Sequence, residues 1–162
     1  MAEPLVRPGT EADAPEVARI WEGGWREVHL GNVPDELVRV RTSESFRARA
    51  RQRVPDTSVA EVAGVVAGFV MVDGEEVDQV YVDAGHRGSG VASLLLAEAA
   101  RRVAAGGHDR AWLAVVSANA RARRFYEREG WTDEGLFIHE APVEGGTVPV
   151  ECHRMVRDLA QA

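Results

Sequence analysis

Apolar positions along the chain alternate between runs of extended spacing and runs of helical spacing. Val6-Arg7 leads into Thr10-Glu11-Ala12-Asp13-Ala14-Pro15, and Val17, Ile20 and Trp21 follow at helical spacing. A threonine or aspartate cap, a proline and that spacing predict strand, turn and helix. Gly23-Gly24 predicts a soft end to this helix. A second helix is predicted over residues 34–53, rich in arginine and closed by Pro55. Residues 58–72 are dense in Val, Ala and Phe around Ala63-Gly64, which reads as a hairpin.

Asp73-Gly74 then turns the chain into a strand over 77–82. Residues 93–103 return to helical spacing and stop at Gly106-Gly107. A short apolar run at 112–116 predicts a buried strand, and 120–129 a helix ended by Gly130. The last segments, 131–138 and 148–156 around Gly145-Gly146, predict an antiparallel pair. Strands first and last with helices between them predict an α/β sandwich of mixed strand direction. No repeat or low-complexity tract divides the 162 residues, so a single domain over 1–162 is expected.

Composition narrows the function classes. The formal net charge is −7, which argues against a nucleic-acid surface, and any anionic ligand must be held locally. All 19 basic residues are arginines. The start Met1-Ala2-Glu3-Pro4 carries no basic segment followed by an apolar one, and no apolar run approaches a membrane span. A cytoplasmic protein without membrane contact is expected. Cys152 is the only cysteine, so no internal disulfide can form. The five histidines are scattered without metal-ligand spacing, so no metal is expected.

The run Val80-Tyr81-Val82-Asp83-Ala84-Gly85-His86-Arg87-Gly88-Ser89-Gly90-Val91-Ala92 reads as a strand feeding a glycine loop that opens a helix. Glycines let successive backbone N–H groups converge, and the free N–H groups of a first helical turn add partial positive charge. Such a loop holds phosphates. It lacks the Gly-Lys-Ser/Thr of a P-loop, and Gly85, Gly88 and Gly90 do not fit G-x-G-x-x-G. Arg87-Gly88-Ser89-Gly90-Val91-Ala92 does fit (Gln/Arg)-x-x-Gly-x-(Gly/Ala). Further on, Asn119-Ala120-Arg121-Ala122-Arg123-Arg124-Phe125-Tyr126-Glu127-Arg128-Glu129-Gly130-Trp131 fits N-x-x-A-x-x-F-Y-E-x-x-G-F with tryptophan last. In both motifs the chain resembles the GNAT superfamily of N-acetyltransferases.

The resemblance implies a largely antiparallel mixed sheet flanked by helices and splayed between its fourth and fifth strands. It implies acetyl-CoA as acyl donor and a primary amine, on a small molecule or a peptide, as acceptor, with a homodimer as the usual assembly. By position, the amides of Arg87, Gly88, Ser89, Gly90, Val91 and Ala92 would take the pyrophosphate. The backbone of Val80, Tyr81 and Val82 would pair with the pantetheine arm. Asn119 would cap its helix or bond that arm, and Phe125 and Tyr126 would complete the donor site.

Tyr126 carries a phenol suited to protonating a departing thiolate. Glu76, six residues before Val82, stands where relatives carry a glutamate that takes the amine's proton through water. Strand alternation puts Glu76, Asp78, Val80 and Val82 on one face, which makes Asp78 the alternative base, while Glu75 points away. Trp25 and His29 fall in the segment that lines the acceptor pocket in the family. Trp21 and Trp25 at a four-residue spacing read as a packed helix face. Cys152 reads as a buried strand residue. Two other readings stay open: a CoA-binding sensor that has lost turnover, and a nucleotide-binding protein using the same loop.

Overall fold

Seven extended segments pair into one sheet in a computed structural model that describes residues 3–159. Met1, Ala2 and the last three residues, part of the expected domain and of the leader reading, lie outside the described residues. The strands are β1 (Leu5–Pro8), β2 (Thr57–Val62), β3 (Val65–Asp73), β4 (Glu76–Val82), β5 (Arg110–Val116), β6 (Thr132–Val143) and β7 (Gly146–Asp158), in the spatial order β1-β2-β3-β4-β5-β7-β6. Every pair is antiparallel except β4 with β5. β3 is central and buried from Val66 to Val72, which accounts for its unbroken apolar run.

The helices are α1 (Ala14–His29), α2 (Asp35–Val40), α3 (Ser43–Gln52), α4 (Val91–Ala105) and α5 (Ala120–Arg128). One core lies between the sheet and α1 to α3, with Trp21, Phe46 and Phe69 packed ring to ring. The other lies under α4, built from Val91, Leu95, Leu96 and Val103 against Val70, Leu113 and Met155. Arg7 donates to both Asp13 carboxylate oxygens, at 2.7 and 2.9 Å, and so ties β1 to the start of α1.

Two predicted boundaries are corrected. The single helix expected over 34–53 is two, because the chain turns at Arg41 and Thr42 caps the second, its hydroxyl accepting from Ser45 N at 3.1 Å. Gly23-Gly24 does not end the first helix, which runs on to His29. Gly24 is instead a packing site: a Cβ there would stand 2.4 Å from Cδ1 of Tyr81, whereas one at Gly23 would meet nothing within 4 Å. Gly23→Ala should therefore stabilise the fold by about 0.5–1 kcal/mol through helix propensity. Gly24→Ala should destabilise it by about 1–3 kcal/mol through overpacking against Tyr81. Paired denaturant titrations should show opposite signs, and shifts of the same sign would remove Gly24 as the seat of that ring.

A bulge in β4 brings the third correction. Met71 pairs with Gln79 and Val72 with Val77, which leaves Asp78 as the extra residue. Val80 and Val82 pack toward the α4 core, but so does Val77, and Tyr81 packs on the α1 side. The alternation thus flips at Asp78. Glu76 does not share a face with Val80 and Val82; it stands on the Tyr81 face, and Asp78 reaches toward Arg53 at the end of α3. Glu75 is exposed.

Candidate active site

The loop after β4 is shaped by two glycines. Gly88 and Gly90 have φ of +77° and +84°, a region that side chains resist, and Gly90 is the residue before the first turn of α4. The N–H groups of Val91, Ala92 and Ser93 open that turn without a helical carbonyl to bond, and the loop amides precede them. The Ser89 hydroxyl donates to the His86 carbonyl and steadies the loop from inside. Arg87 turns back to α1, where its guanidinium donates to Glu27 at 2.9 and 2.7 Å. Arg87 N donates to the Ala84 carbonyl at 3.5 Å, whereas the amides of Gly88, Ser89 and Gly90 have no acceptor among the described residues and suit an anion.

Beside this cradle the sheet comes apart. β4 pairs with β3 along its length but meets β5 only at Glu76 and Trp112, where Trp112 N donates to Glu75 O at 3.1 Å. Beyond that pair the strands diverge, so the backbone groups of 78–82 that face β5 have no ladder partner among the described residues. An extended polar chain can add there as a strand would. Asn119 begins α5 on the far side and caps it, its Oδ1 accepting from Ala122 N at 3.2 Å, which leaves its amide N–H groups as donors.

The splay opens into a cavity of about 160 Å3 that reaches β4, β5, α1, the α2–α3 connection and β6. Glu76, Asp78, Val80, Tyr81, Asn119, Tyr126, Trp25 and His29 line it together. Val82, Arg87 to Ala92 and Phe125 do not. Phe125 packs against the α4 core and meets Tyr126 edge to face at 5.5 Å.

Charge in the cavity is unevenly compensated. Burial first, and then the charges of Asp78 and Asp73, push the Glu76 carboxyl up to about 7. Asp78 is already held by Arg53, whose two terminal nitrogens donate at 2.7 and 3.0 Å, so its carboxylate is less free than that of Glu76. Burial pushes the Tyr126 phenol up to about 12, and the Tyr81 phenol higher still. His29 stacks on Trp25 with centroids 4.8 Å apart, and its Nδ1 donates to the Trp25 carbonyl at 2.9 Å. Burial lowers its pKa, which leaves Nε2 as an acceptor at neutral pH. Burial raises the Cys152 thiol to about 11, so it stays protonated and is no nucleophile at neutral pH.

The cavity also holds side chains not singled out above: Arg41, Arg49 and His139. A signal for Arg49 existed. Phe46 and Ala50 are the apolar stripe of α3, and 46, 49, 50 and 53 share one helical face, so Arg49 and Arg53 had to point inward. Among the described residues, no group of His, Cys, Asp and Glu could hold a metal ion. No described helix is long and apolar enough to cross a membrane.

A sheet splayed between its parallel strands β4 and β5, with an amide cradle at one mouth and an ionisable cavity at the other, defines an acyltransferase-type fold. Residues 17–131 match the acetyltransferase (GNAT) family, and the chain belongs to that family. No curated protein sequence matches it. Among solved structures it is similar to yncA of Salmonella typhimurium, a putative acetyltransferase with its cofactor acetyl-CoA. The identity is 19% over 99% of this chain and 96% of that one, with a TM-score of 0.72. It is also similar to the PaiA N-acetyltransferase of Thermoplasma acidophilum in complex with coenzyme A, 14% identical over 96% and 99% of the chains, TM-score 0.71. A nourseothricin acetyltransferase is 31% identical over 65% of this chain and 66% of that one, TM-score 0.52.

Proposed function

We propose that this protein moves an acyl group, acetyl in the first instance, from acyl-CoA directly to a primary amine. The observation that carries the reading is the continuity of cradle, unpaired β4 edge and cavity, a path that suits a pyrophosphate, an extended amide arm and a thioester in that order. The resident chemistry fits: backbone N–H groups for the phosphates, free strand groups and Asn119 for the arm, and Tyr126 where the arm would end. Acetyl-CoA in yncA and coenzyme A in PaiA support the donor assignment.

In the transfer, the amine nitrogen bonds to the thioester carbon and the carbon–sulfur bond breaks. Glu76, ionised above about pH 7, takes the amine's proton through water. Tyr126 gives a proton to the departing sulfur. Asp78 acts on Glu76 by its charge rather than as a second base. Trp25 and His29 wall the acceptor side.

The test is thermal stabilisation and thiol release. Saturation at about 100 times Kd stabilises a fold by about 2.7 kcal/mol, so CoA and acetyl-CoA should raise Tm where ATP and NAD do not. Thiol should be released with some member of a panel of polyamines, amino acids, aminoglycosides, peptide N-termini and nourseothricin. Stabilisation by CoA without release on any of them would make the protein a sensor. Stabilisation by ATP or NAD instead would overturn the donor assignment.

A further inference from the structure

The cavity has a second, basic pole that acyl transfer to a simple amine leaves unused. Arg41 is 6% exposed, and among the described residues its guanidinium makes a single hydrogen bond, Nη2 donating to the Pro142 carbonyl at 2.5 Å. Arg49 lies over the face of Trp21, 4.3 Å from the ring centroid, a contact that leaves its in-plane N–H donors free. Among the described residues neither has a carboxylate within ion-pair distance, whereas Arg7, Arg53 and Arg87 each do. The two are near enough for their charges to oppose each other, and burial lowers the pKa of both, while a guanidinium in a protein keeps its charge.

Desolvated cations without counter-ions are unfavourable unless something brings negative charge to them. Glu76 does not supply it at neutral pH, being half protonated there, and Asp78 is bound by Arg53. The cavity, at about 160 Å3, is also smaller than the usual site for a drug-sized ligand. A small ligand with a carboxylate at the arginines and an amine at the acidic pole matches both ends.

We propose that the acceptor is a small amino acid whose carboxylate is received by Arg41 and Arg49 and whose amine is thereby turned toward Glu76. The inference rests on the acyl-transfer reading above and adds the class of acceptor. The carboxylate takes no part in the bond changes; the amide nitrogen–carbon bond forms at the amine as before.

Matched sets test it: each of the twenty α-amino acids and several ω-amino acids, with the corresponding amino-acid amide and decarboxylated amine. Binding to the CoA-saturated protein is measured by calorimetry, and thiol release from acetyl-CoA in parallel. For at least one set the carboxylate-bearing member should bind and react at least about 100-fold better than its amide and amine, since a site built to bond a group rejects the analogue lacking it. Whether α or ω members win tells where the amine stands on the ligand. Arg49→Gln should raise the KM for that acceptor about 100-fold and leave the KM for acetyl-CoA unchanged, with Arg49→Lys recovering part of the loss.

Decarboxylated amines or amides that bind as well as the acids would overturn the inference, and so would a panel in which no acid binds. The comparison in the parent protein needs no variant to fold. Carboxylate-dependent binding without thiol release would sink the acyl-transfer reading alone and leave the carboxylate site standing.

Discussion

Tyr126→Phe should lower kcat about 100-fold while leaving the KM for acetyl-CoA within about threefold of the parent. The size follows from the leaving group. A thiol has a pKa near 8.5, so a thiolate departs far more readily than an alkoxide, and proton donation at its departure should lie at the low end of the range of about 10²–10⁴ for general acids. A 100-fold loss is about 2.7 kcal/mol of barrier. With its phenol pushed up to about 12, Tyr126 is fully protonated throughout any practical assay, so the loss should be the same from pH 6 to pH 10. Phenylalanine keeps the edge-to-face contacts with Phe125 and Trp131, which separates the missing proton from lost packing. A loss confined to KM would make Tyr126 a binding residue, and a change under threefold would remove it from the chemistry.

Much of this arrangement is legible in the order of residues, and the part that is not has a common cause. The strand, glycine loop and helix of 80–92 declare themselves because backbone geometry is specified locally: positive φ at Gly88 and Gly90 requires residues without a Cβ. Asn119 is legible for the same reason, as a cap at a helix start. The bulge at Asp78 is not, because it is decided by how Val77 and Gln79 pair with a different strand, and one extra residue moves Glu76 to the opposite face from the one alternation gives. Gly23-Gly24 reads as a helix end, but Gly24 is an entry for the Tyr81 ring, a partner 57 positions away in the chain. Arg49 is one of six arginines between residues 39 and 53, any of which could face an anionic acceptor, and Phe46 and Ala50 mark the buried stripe that it shares. Local conformation was readable; pairings between distant segments, which assemble the cavity, were not.

Glu76 sits on the far side of that bulge, and Glu76→Gln should change the shape of the pH profile rather than its height alone. With an ionised Glu76 as base, an ammonium acceptor reacts through the carboxylate form, so kcat/KM should rise up to about pH 7 and then level. Without it, only free amine reacts. An alkyl ammonium with pKa near 10.4 is free in about one molecule in a thousand at pH 7.5, so the variant should be roughly 10²–10³-fold slower there. It should climb about tenfold per pH unit and approach the parent near pH 10. A variant that keeps a break near pH 7 would excuse Glu76 and leave the proton to solvent.

Stability should move the opposite way. The folded-state pKa is raised above 4.5, so the protonated form is the favoured one inside the protein, and the contribution of Glu76 to stability is present below about pH 4.5 and lost as pH rises through about 7. Because the carboxyl is partly exposed, the gain from glutamine at pH 8 should be about 1–2 kcal/mol after solvent screening, and close to zero at pH 4. A slower enzyme that is also more stable, and only above neutral pH, is the joint signature of a base held in a site that resists its charge; equal stability at both pH values would mean that the cavity does not desolvate Glu76.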